Sequence, residues 1–221
     1  MNLDRQITKR TIADEVAELL RRRILSGELP AGKPIRQEHI AQELGISRIP
    51  LREALKQLEA EGFVLIEAHK GAVVAELSSA EVEELFELRV RIETWLLSKA
   101  IPNMGEGDFA RLDAIIDESR APDSLPRWGE LNWRFHEALY RPAGRPVSIK
   151  FLKRIHDNID RYLRIEITLP AARDRAYGDH EQLAAMCRNR DIPAALSLLE
   201  RHILATAKTL VAKFSGSGVK A

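Results

Sequence analysis

Apolar residues recur at helical spacing through the first quarter of the chain, alternate briefly, then return to helical spacing almost to its end. Ile12, Val16, Leu19, Leu20 and Ile24 share one helix face, and that stripe stops at Ser26-Gly27. Ile40, Ala41 and Leu44 make a second, short helix that runs into a turn at Gly45. A third opens at Ser47, whose hydroxyl suits an N-cap, with Pro50 in the first turn where its missing N–H costs little. Leu51, Ala54, Leu55 and Leu58 form its buried stripe. After Gly62 comes the β-prone run Phe63-Val64-Leu65-Ile66, a polar turn from Glu67 to Gly71, and a return run Ala72-Val73-Val74-Ala75. Three helices and a hairpin predict a winged helix-turn-helix over residues 1–76, with His69 and Lys70 at the tip of the wing.

From Ser78 onward the strand signals vanish. Ser78 and Glu81 are spaced as a capping box at the start of a long helix reaching Ala100. Further helices are expected over 108–120, 124–141, 147–167, 173–190 and 192–214, broken at Pro122, Pro142-Ala143-Gly144, Leu169-Pro170 and Asp191. The fold class is therefore mainly α: an N-terminal winged helix-turn-helix followed by an all-α six-helix bundle over 77–214. Residues 215–221, which include Ser215-Gly216-Ser217-Gly218, read as a disordered tail.

The outward face of the third helix carries the first candidate chemistry. Ile49, Arg52 and Lys56 point away from the stripe, with Arg48 on the flank. A helix that leaves a tight turn and projects Arg residues from its first two turns suits the recognition helix of a major-groove reader. A small helical domain whose Arg residues only solvate a surface is the plain alternative. The net charge of +1 over 221 residues is not the global footprint of a nucleic-acid binder. Residues 1–75 hold twelve Lys/Arg against eleven Asp/Glu, again +1, so any basic surface must be local. No run of about 18 apolar residues exists and the N-terminus is polar, so neither a membrane span nor a signal peptide is expected. The single cysteine, Cys187, excludes an intrachain disulfide and suits a reducing cytoplasm.

These stretches resemble the DNA-binding domain of the GntR superfamily. The resemblance rests on Ile24-Leu25-Ser26-Gly27-Glu28-Leu29-Pro30-Ala31-Gly32, on Ser47-Arg48-Ile49-Pro50-Leu51-Arg52-Glu53-Ala54-Leu55, and on Leu58-Glu59-Ala60-Glu61-Gly62. It implies that Ser47, Arg48 and Arg52 touch DNA and that the wing glycine, Gly71, lies close to the minor groove. Ile49 stands where the family commonly has Thr, which removes a hydroxyl contact and allows one to a thymine methyl. With Lys56 and His69 these residues make up the candidate DNA-binding set.

In the bundle, the histidines fall on apolar stripes. His136 follows Asn132 by one turn beside the stripe Leu131, Phe135, Ala138, Leu139. His180 lies on the stripe Leu183, Ala184, Cys187, and His202 on the stripe Leu198, Leu199, Thr206, Leu210. Three imidazoles then point inward from three helices. One inward histidine is ordinarily a hydrogen-bonded core residue, whereas three unpaired ones are costly unless a divalent metal satisfies them together. This pattern resembles the FadR-type C-terminal (FCD) effector domain of the same superfamily, closest to its six-helix VanR-like group. The resemblance implies a divalent metal held by His136, His180 and His202, with Asn132 at a position where the family has Asp. Zinc is the first choice, with nickel or manganese as alternatives.

It further implies a small carboxylate effector coordinated at the metal. Arg89 is the candidate cation for that effector, its plain alternative being an i,i+4 ion pair with Glu93 on a solvated face. Arg161 and Tyr162 are secondary candidates, Cys187 reads as core filler, and His39 and His156 are unassigned. The expected function is a cytoplasmic, ligand-responsive transcriptional regulator, not an enzyme. It would bind a pseudo-palindromic double-stranded operator as a homodimer and leave it when the effector binds. His136-Glu137 opens a zinc-protease motif, but Tyr140 stands where its second histidine belongs. A DNA-binding protein whose bundle only dimerises is the other alternative.

Overall fold

The computed structural model describes residues 10–67, 71–167 and 170–216. His69 and Lys70 at the expected wing tip, the side chain of Arg161, and residues 217–221 of the expected tail lie outside what is described. The chain divides into two compact units, Met1–Glu76 and Leu77–Ala221.

In the first unit, α1 (Ile12–Leu25) begins with a capping box in which Thr11 and Asp14 satisfy each other's backbone N–H. Its buried face is Ala13, Val16, Ala17, Leu20 and Ile24, while Ile12 is exposed and Leu19 half-buried. The expected stripe was thus one position out at its edges. Two alanines, which carry little hydrophobic signal, turn the helix so that α1 can lie close on α3. Helix α2 (Gln37–Glu43) ends at Gly45, whose φ of +63° makes the left-handed turn into α3 (Arg48–Ala60). Leu51, Ala54, Leu55 and Leu58 are all buried on α3, as the periodicity requires. Strands β1 (Val64–Glu67) and β2 (Gly71–Val74) pair antiparallel with Val64 opposite Val74 and Glu67 opposite Gly71. Residues before α2 extend the sheet edge, with the Ile35 N–H donating to the Ala72 carbonyl at 2.8 Å.

The second unit is helical. Helix α4 (Ser79–Ala100) opens with the Ser78–Glu81 capping box. It is followed by α5 (Glu106–Arg120), α6 (Trp128–Tyr140), α7 (Pro146–Ile167), α8 (Pro170–Arg188) and α9 (Ile192–Gly216). Helix α6 starts four residues later than the periodicity suggests, because Leu125–Arg127 form a 3-10 turn around Pro126. Helix α9 runs through Ser215 and Gly216, which the sequence assigned to the tail. Phe86, Leu96, Leu97, Leu112, Phe135, Leu139, Leu183, Leu199 and Ile203 fill one core, and Cys187 is buried among them. Where α6 meets α7, a Cβ on Gly129 would fall 1.7 Å from Asp160 Oδ1, so any side chain there would force that carboxylate to move.

Candidate functional site

Two places carry chemistry, one on the surface of the first unit and one inside the second. On the first, Ser47, Arg48, Ile49, Arg52 and Lys56 are all exposed along one side of α3, with Ile49 69% accessible. Arg48 and Arg52 line a cleft of about 510 Å³ with Ile35, Arg36, Gln37, Glu38, His39 and Gly71. Arg48 is ion-paired with Glu38 across this cleft, and both side chains are exposed. Ser47 has N-cap backbone angles (φ −73°, ψ 166°) but its hydroxyl makes no capping bond, contrary to the sequence expectation. Pro50 explains this. It occupies the third helical position, whose N–H would ordinarily bond the cap, and proline has none. The Ser47 hydroxyl is therefore not engaged in capping, and the residue is exposed next to Arg48.

Inside the second unit, His136 of α6, His180 of α8 and His202 of α9 present ligand atoms that lie within 4.8 Å of one another. Their ring centroids are 5.4 Å (His136–His180), 5.6 Å (His136–His202) and 5.2 Å (His180–His202) apart. All three are buried, and the Nε2 atoms of His136 and His180 have no hydrogen-bond partner. Burial holds both imidazoles neutral to well below the ordinary histidine range. Neutral nitrogens converging without a proton donor are a costly arrangement in an apolar core, and a donor set of this kind suits a divalent cation. The residues fit the metal that the sequence suggested. Asn132 is buried one turn before His136 on α6.

Each imidazole is oriented differently. His202 Nδ1 is 2.9 Å from Asp179 Oδ2, so Nδ1–H donates to the carboxylate and Nε2 is left with its lone pair. The His180 ring stacks on Phe135 at a centroid distance of 4.1 Å, and lies parallel to Trp128 at 6.0 Å. His136 Nδ1 is 3.1 Å from the Tyr140 hydroxyl, which in turn donates to Glu93 Oε2 at 2.6 Å. Glu93 is fully buried. Its other oxygen accepts from Arg89 Nε at 2.6 Å and lies 3.3 Å from His156 Nε2. Burial is the largest single influence on the Glu93 carboxyl and pushes it up, but the Arg89 guanidinium, His156 and His136 together outweigh it and hold the group well below the usual carboxylate range. His156, also buried, is pushed down to about 4 by burial and then by Arg89.

Arg89 is thus paired with Glu93 as the i,i+4 spacing suggested, but in the interior and not on a solvated face. Sequence reasoning missed Glu93, Tyr140, His156 and Asp179 as parts of this centre. Tyr140 lies one turn beyond His136 on the same face, and Asp179 adjoins His180, so helical spacing and adjacency were the available signals. Glu38 was missed on the surface, where no spacing announces it.

The comparisons with known proteins divide the chain in the same places. The model described as "Bacterial regulatory proteins, gntR family" matches residues 12–74, and that of the FCD domain matches residues 84–205. The HTH-type transcriptional repressor GlaR of Escherichia coli K12 is 28% identical over 196 residues, covering 84% of this chain and 89% of the repressor. The gluconate operon transcriptional repressor of Bacillus subtilis is 26% identical over 189 residues, 84% of this chain and 75% of its own. Among solved structures, Escherichia coli McbR/YncC superposes with a TM-score of 0.77 at 18% identity, covering 93% of this chain and 100% of that one. The last likeness is one of fold.

Proposed function

Because the chain belongs to the gntR family of bacterial regulatory proteins and carries an FCD domain, we propose that it is a transcriptional regulator whose operator affinity is set by a small anion bound at a metal in the bundle. The family and the named relatives are transcriptional regulators and not enzymes. In this reading a homodimer sits on a pseudo-palindromic operator. Arg48 and Arg52 offer guanidinium forks to guanine edges or phosphates, Lys56 and the Ser47 hydroxyl hold the backbone, and Ile49 meets a thymine methyl. Gly71, with His69 beyond the described residues, brings the wing to the minor groove.

His136, His180 and His202 would hold a divalent ion, zinc foremost, with Asn132 beside them. When bound, the ion supplies a positive charge and open coordination positions for a carboxylate. The chain's own part is to present neutral nitrogens, to exclude water by burial, and to keep Arg89 at hand as a second cation. Effector binding switches the operator state only through a difference in affinity between two arrangements of the protein. No helix of the described residues is long and apolar enough to cross a membrane, and the proposed site of action is the cytoplasm. The observation that carries the reading is the pair of buried, partnerless Nε2 atoms on His136 and His180.

The test is a thermal-shift screen of small carboxylates on zinc-loaded protein, with and without chelator, followed by operator release with any hit. Zinc-dependent stabilisation by a carboxylate, with release of DNA, is the expected result. A melting temperature indifferent to chelator and to every carboxylate would instead favour a bundle that only dimerises.

A further inference from the structure

A hydrogen-bonded chain runs from Arg89 through Glu93 and Tyr140 to His136, and its direction follows from valence. Glu93, held ionised by Arg89, can only accept, so the single hydroxyl proton of Tyr140 points at Glu93 Oε2, 2.6 Å away. Toward His136 Nδ1, at 3.1 Å, the same oxygen has only lone pairs to offer. The contact is a hydrogen bond only if His136 carries its proton on Nδ1. A neutral imidazole with Nδ1–H has its lone pair on Nε2, the atom that is buried without a partner beside His180 and His202.

Resting on the metal-centre reading above, we propose that Tyr140 and Glu93 are positioning residues of that centre: they lock His136 in the Nδ1–H tautomer and so aim its Nε2 lone pair at the ion. Asp179 does the same for His202 through the 2.9 Å contact with Nδ1. Among the described residues His180 has no such partner, and it is held by the faces of Phe135 and Trp128. Two ligands are thus fixed by proton placement and one by shape. Glu93 also receives Arg89 and His156. The candidate effector cation and a candidate metal ligand therefore share one carboxylate.

The test uses Tyr140→Phe, which keeps the buried ring and removes only the hydroxyl, both the acceptor facing His136 and the donor to Glu93. Long-range proton–nitrogen correlation spectra of metal-free, full-length protein should show wild-type His136 protonated at Nδ1, and should show that preference lost in the variant. Zinc affinity, read by competition with a chromophoric chelator, should fall roughly 10- to 100-fold, while the far-UV circular dichroism stays unchanged. Wild-type His136 protonated at Nε2 would overturn the proposal without any variant. So would a Tyr140→Phe protein with wild-type tautomer and wild-type zinc affinity, even though the metal centre would then stand. A wild-type chain that binds no zinc but keeps His136 as Nδ1–H, with that state lost in Tyr140→Phe, would remove the metal reading and leave the positioning role supported.

Discussion

The two units place their polar chemistry on opposite sides of their own surfaces. Among the described residues, every buried polar or charged side chain lies in the second: Arg89, Glu93, Ser119, Ser124, Asn132, His136, His156, Asp160, His180 and His202. The first has an all-apolar core, and its Arg, Lys and Ser side chains on α3 face outward. A unit that meets a partner as large as a duplex gains nothing from interior polarity. A unit that encloses a small ligand must bring polar groups inside, and each needs a partner or an ion there. In the proposed function, the difference is between recognition by surface and recognition by enclosure.

Removing the enclosed chemistry should have the largest effect. His180→Ala is expected to take zinc content from about one ion per chain to none, measured by elemental analysis after reloading. The recognition helix should be untouched, so non-specific DNA affinity at low salt should match the wild type. If both the variant and the wild type lack zinc after reloading, the enclosed site is not a metal centre.

Acid should also separate the two interiors. After removal of metal, His136, His156 and His180 stay neutral when folded, well below their ordinary range, and titrate near 6.5 when unfolded. The unfolded chain then binds more protons, so stability is full above about pH 6.5 and is lost as pH falls toward 4. His156 alone, at about 4, accounts for about 3 kcal/mol of that loss. Urea midpoints across this window should fall steeply for the metal-free chain. Flat midpoints between pH 7 and 4.5 would show that these rings are not held neutral.

Effects at the surface should be smaller. Arg52→Ala is expected to cost about 1–3 kcal/mol in operator binding and to flatten preference at one base pair. Arg48→Ala should do the same if it reads a base, or weaken all sequences alike if it holds a phosphate; fluorescence anisotropy on operator variants distinguishes the two. Both variants binding like the wild type at physiological salt would end the assignment of α3 as recognition helix. The smallest change expected is from Asn132→Asp. An anionic oxygen one turn before His136 should tighten zinc in chelator competition and loosen a carboxylate effector in calorimetry. If neither affinity moves, Asn132 does not face the ion.

The contrast also explains what could be read from the sequence. The α3 stripe of Leu51, Ala54, Leu55 and Leu58 was legible because an apolar core imposes its period on the helix that covers it. On α1 the same logic slipped where Ala13 and Ala17, small and weakly hydrophobic, replaced the larger Ile12 and Leu19 on the buried face. His136, His180 and His202 were legible because each interrupts an apolar stripe. Glu93 and Asp179 were not, since their roles depend on pairings between helices, Glu93 with Tyr140 across 47 residues and Asp179 with His202 across 23. Arg89–Glu93 shows the limit most clearly. Its i,i+4 spacing revealed the pair, but spacing does not say whether the pair faces water or the core.

Cys187 gives the molecule a practical property. Its thiol is fully buried, and burial pushes its pKa up to about 12, so almost no thiolate is present at neutral pH. It is also the chain's single cysteine. A cysteine introduced at an exposed position outside the proposed DNA contacts, such as Gln42, would therefore be the one thiol that an alkylating dye can reach. The native sequence is already a blank background for a single fluorophore on the first unit, which would report operator binding and release without any further substitution.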